Sequence, residues 1–89
     1  MEVINLTIIG MSKLDSYTVR CTIEFDQTRF EFSVTVTVHG TIRSYSLLNL
    51  TEKQKLLVQN SAYSRPFARC FWLYFDGKDV SFPVILSPY

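Results

Sequence analysis

The chain has 89 residues, 47% of them apolar and 15% aromatic, and a formal net charge of +1 from nine basic and eight acidic side chains. That length holds one hydrophobic core and no second domain, and so small a domain hides only about two-thirds of its unfolded chain's surface. The composition excludes a disordered tract, and the near-neutral charge excludes a strong field for nucleic acid or an anionic membrane, so a partner must be recognised by shape and local contacts.

Residues 3–9 are expected to form the first strand, with Ile4, Leu6 and Ile8 toward the core and Asn5 and Thr7 outward. The chain opens with an acid, Glu2, where a secretory leader carries positive charge, and this reads as a cytoplasmic protein. No stretch approaches the ~18 apolar residues of a membrane helix.

Strict alternation follows in two segments. In 17–25 the odd positions Tyr17, Val19, Cys21, Ile23 and Phe25 are apolar, and in 30–38 the even positions Phe30, Phe32, Val34, Val36 and Val38 are. A four-residue loop at 26–29 sets Phe25 opposite Phe30, Ile23 opposite Phe32, Cys21 opposite Val34 and Val19 opposite Val36, which gathers every apolar residue on one face. The third strand is expected to run on through Thr41, Ile42 and Arg43, with Gly40 marking a bulge or bend.

The period changes at Thr51-Glu52-Lys53-Gln54, which matches a capping box and predicts a helix from there to about Asn60 or Ala62, with Pro66 barring further extension. Beyond it, 68–75 and 80–86 read as a second hairpin turning at Asp76-Gly77, a favoured pair for a type I′ turn. That turn sets Leu73 opposite Val80 and Phe71 opposite Phe82, with Trp72, Tyr74, Asp79 and Ser81 on the other face. Pro83 cannot donate to a ladder, which marks the last strand as an edge or as bulged at that point.

The expected fold is therefore a single α+β domain over 1–89, an antiparallel sheet in the order strand-strand-strand-helix-strand-strand with one short helix packed on it. Its core is expected to contain Ile4, Leu6, Ile8, Val19, Cys21, Ile23, Phe32, Val34, Val36, Phe71, Leu73 and Phe82.

The residues that carry chemistry are few. His39 is the only histidine, the cysteines Cys21 and Cys70 lack metal-ligand spacing, and the glycines are isolated, so no triad, zinc site, phosphate loop or cofactor is expected. Glu24 and Glu31 come opposite each other in the expected register, but on an open face beside Arg20 and Arg29 they read as solvated rather than catalytic. The chain reads as a non-enzyme, and an enzyme, the remaining alternative, would have to be of an unfamiliar kind.

One constellation suggests binding: Arg43, Tyr45, Tyr63, Arg65, Phe67, Arg69, Trp72 and Tyr74. Trp, Tyr and Arg are the usual anchors of protein interfaces, and the expected partner is another protein or a second copy of the chain, through Trp72, Tyr74, Arg69, Arg65, Tyr63 and Arg43. Aromatics interleaved with cations also suit a single-stranded nucleic acid, the alternative, which the low net charge disfavours. In size and lack of catalytic groups the architecture is similar to many small proteins of bacteriophages and other mobile elements, inhibitors of host defence among them. That likeness implies an inhibitor or adaptor and assigns no residue.

Overall fold

A computed structural model describes residues 5–59 and 62–86. Strands β1 (Leu6–Lys13), β2 (Thr18–Phe25), β3 (Thr28–His39) and β4 (Ile42–Leu48) come first, then helices α1 (Glu52–Gln59) and α2 (Ser64–Phe75), then the short strand β5 (Val84–Leu86). The strands form one antiparallel sheet in the order β4-β3-β2-β1-β5. The α+β class is as expected, whereas the element order differs and there are two helices.

The β2–β3 alternation places its apolar residues on one face, in a register two residues away from the expected one. Cys21 pairs with Phe32 and Val19 with Val34, because the connection is a two-residue turn in which Asp26 (φ 50°) and Gln27 (φ 64°) both take the left-handed conformation. These are the signs a type I′ turn requires. Glutamine rarely adopts them, so nothing in the sequence announced the tight turn. A shift of two leaves every side chain on its own face. It does separate Glu24 from Glu31: Glu24 lies opposite Arg29, with an ion pair of 3.2 Å, and Glu31 accepts a bond of 3.2 Å from the Thr22 hydroxyl.

Gly40 (φ 65°) is the first residue of a second tight turn rather than a bend, so β3 stops at His39 and β4 returns beside it with His39 opposite Ile42. A positive φ at the first central position only is the type II′ pattern. In β1 the pairing slips between Ile8 and Gly10, which turns Met11 and Lys13 toward the helices; the Lys13 ammonium lies 4.9 Å from the Phe75 ring centre.

The largest correction concerns 68–75, expected as a strand and found within α2. Its β-forming aromatics obscured a helical stripe: Tyr63, Phe67, Cys70 and Phe71 recur at steps of four, three and one, and all four are buried. Pro66 sits in the first turn of this helix, where its missing N–H has no partner to lose, instead of ending the one before. Asp76-Gly77 closes the helix and turns no hairpin. Gly77 (φ 79°) donates to the Tyr74 carbonyl at 3.1 Å and Lys78 to that of Leu73 at 2.9 Å, the paired bonds of a Schellman cap. The α1 cap is as expected, with Thr51 N–H donating to Gln54 Oε1 at 3.1 Å and Gln54 N–H to Thr51 Oγ1 at 3.2 Å.

Both helices cover one face of the sheet. The core between them holds Leu6, Ile8, Val19, Cys21, Ile23, Phe32, Val34, Val36 and Phe71, all expected, together with Leu47, Val58, Tyr63, Phe67, Cys70 and Leu86. Leu73, expected in the core, is 43% exposed because the helix turns it outward, and Phe82 is half-buried. Ile4 lies outside the described residues. The other sheet face carries Thr22, Ser33, Thr35 and Ser46 and meets water, as a one-sided antiparallel sheet does. No described helix is long and apolar enough to cross a membrane.

Candidate functional site

The six residues singled out for binding do not form one surface. Placing 68–75 on a helix puts Trp72 and Tyr74, expected on one strand face, on different sides, since two residues span more than half a turn. Trp72 turns toward β4, where its ring lies 5.6 Å from Tyr45 and 5.1 Å from Phe71. Arg43 comes from β4 on the same side, with its guanidinium carbon 4.5 Å from the Trp72 ring centre and a bidentate ion pair to Asp76. Tyr63 precedes α2 and is buried edge-on against Phe25 at 5.5 Å. Tyr74 is half-buried with its ring 5.9 Å from Phe82.

Arg65 and Arg69 remain. With Leu73 they stand four residues apart along α2, which aligns them on one ridge. Both arginines are exposed, and neither forms an ion pair or hydrogen bond with any described residue. Below the ridge a groove of about 720 Å³ runs between α2 and 79–86. Cys70, Leu73, Val80, Val84 and Leu86 give it an apolar lining, and Asp79 and Ser81 stand on the far side.

Burial pushes the Cys70 thiol up, so at neutral pH it stays protonated and is a poor nucleophile. Among the described residues no group of three His, Cys, Asp or Glu side chains is placed to hold a metal ion. His39 sits exposed at the β3–β4 turn, on the far edge of the sheet from β5.

Sequence reasoning picked out Arg65 and Arg69 but missed Cys70, Leu73, Val80 and Val84 as their neighbours. The signal was the 65/69/73 spacing, legible only once the segment is read at helical period. No protein-family model matches the chain, and comparison with curated proteins finds no match.

Proposed function

We propose that the chain is a non-catalytic binding protein that receives an extended, acidic and apolar segment of another protein in the groove beside α2. The observation that carries this reading is an exposed arginine pair, without a partner among the described residues, over an apolar cleft. Arg65 and Arg69, held by no described residue, are exposed to meet carboxylates, while Leu73, Val80 and Val84 are placed to cover an apolar side chain. An inhibitor or adaptor works this way, by occupying another protein's surface without changing it chemically.

The single-strand alternative needs open aromatic faces beside the arginines. Here the Trp72 face is covered by Arg43, and Arg65 and Arg69 border aliphatic side chains, so the observations favour a protein partner.

Selection of a random peptide display library on the immobilised protein tests the reading, because the groove itself then chooses the sequences it holds. The expected winners combine Asp or Glu with large apolar residues, and selection on an R65E/R69E variant should replace the acids with Lys or Arg. Winners whose charge is indifferent to that reversal place the binding surface elsewhere, and tight salt-dependent binding of single-stranded oligonucleotides would restore the alternative.

A further inference from the structure

We propose that the chain forms a two-fold symmetric homodimer by antiparallel pairing of β4 with β4 of a second copy, centred on Tyr45. The two edges of the sheet are built differently. Among the described residues three of β5 pair with β1, and Pro83 stands immediately before them, where it interrupts the edge. By contrast β4 presents seven residues, Ile42–Leu48, without proline, glycine, lysine or bulge. Its one charge, Arg43, is turned onto Trp72 and neutralised by Asp76 of the same chain. The edge therefore lacks the proline, lysine and bulge that usually block the addition of a strand.

The direction of the free backbone groups follows from the register. Val36 N–H donates to the Tyr17 carbonyl at 2.8 Å, so the even residues of β3 address β2 and its odd residues address β4. Their partners across β3–β4 are Ile42, Ser44, Ser46 and Leu48, which leaves the N–H and C=O groups of Arg43, Tyr45 and Leu47 pointing off the sheet. A two-fold axis at Tyr45 sets Tyr45 opposite its own copy and Arg43 opposite Leu47, so each outward-pointing residue meets another and every pair exchanges both bonds.

The side chains match in the same register. Ile42, 70% exposed, meets Leu48 of the second copy, itself 46% exposed, at both ends of the open sheet face, and Ser44 meets Ser46 between them. Two of the chain's exposed large apolar side chains are covered by one symmetric operation, as an isologous interface requires. The groove beside α2 lies toward the other edge of the sheet, so the dimer leaves both grooves open and neither surface depends on the other.

Sedimentation equilibrium on the whole chain, with two variants, tests the pairing. Ser44 and Ser46 are exposed and outside the core, so substitutions there should leave the fold intact, as circular dichroism and melting would verify. Wild type should sediment as a dimer. The S44K/S46K variant, which sets like charges opposite each other twice, should weaken it at least about tenfold. The S44K/S46E variant, which sets opposite charges across the same positions, should restore it. A wild-type chain that stays monomeric at millimolar concentration, a dimer that survives S44K/S46K, or a failure of S44K/S46E to re-form it overturns the proposal.

Discussion

Arg43 of β4 and Asp76 at the end of α2 are joined by two bonds, Nη1 to Oδ1 at 2.6 Å and Nη2 to Oδ2 at 3.2 Å, and this clasp fixes the helix terminus over the sheet edge. The hydrogen bonds from Arg43 hold the Asp76 carboxyl below the usual aspartate range. A carboxyl with a lowered folded-state value contributes stability above its unfolded value, and the contribution is lost as pH falls through the folded one. Wild type should therefore melt higher than Asp76→Asn at neutral pH, with the gap closing in acid below about pH 4. Melting curves across that range check it; a gap that widens in acid contradicts the clasp.

Phe32 and Phe71 are almost wholly buried from opposite sides of the core, one from β3 and one from α2. Replacing either by alanine should cost about 3–5 kcal/mol, a large share of a small domain's stability, read as a lower midpoint in urea. Leu73→Ala should cost much less, because that side chain is 43% exposed.

Two glycines should respond in opposite directions. At Gly77 (φ 79°) there is space for a methyl group, so Gly77→Ala is penalised through the backbone alone, by roughly 1–2 kcal/mol. Gly10 has equal space and no positive φ, so Gly10→Ala should be neutral or stabilising by up to about 1 kcal/mol. Thermal melts of the two variants separate the cases.

The thiols should react poorly in the native state. Burial, with the neighbouring Cys70 adding to it, pushes Cys21 up to about 12, and burial raises Cys70 as well. Neither is a thiolate at neutral pH, so a chromogenic disulfide reagent should label Cys70 slowly from the groove and Cys21, wholly buried, only as fast as the chain unfolds. Rapid labelling of Cys21 in the folded chain would contradict its burial.

The β2–β3 hairpin was legible because a period of two survives any even error in register, and the α1 start was legible because Thr51 and Gln54 satisfy each other's backbone. The helix α2 was not, since Phe71, Trp72, Tyr74 and Phe75 favour strands when each is judged alone, while the helical spacing Tyr63, Phe67, Phe71 emerges only over a longer window. Asp76-Gly77 compounded the error: glycine with positive φ serves a hairpin turn and a helix cap equally well. The site inherited it, because Arg65, Arg69 and Leu73 share a ridge only on a helix.

The most direct test of the account is amide chemical-shift mapping of the labelled protein titrated with an acidic peptide selected from the display library. Binding in the groove predicts the largest shifts at Arg65, Arg69, Cys70, Leu73, Val80 and Val84, with the open sheet face around Arg20 and Thr22 undisturbed. Shifts concentrated on that open face, or along Ile42–Leu48 with the groove unchanged, contradict it.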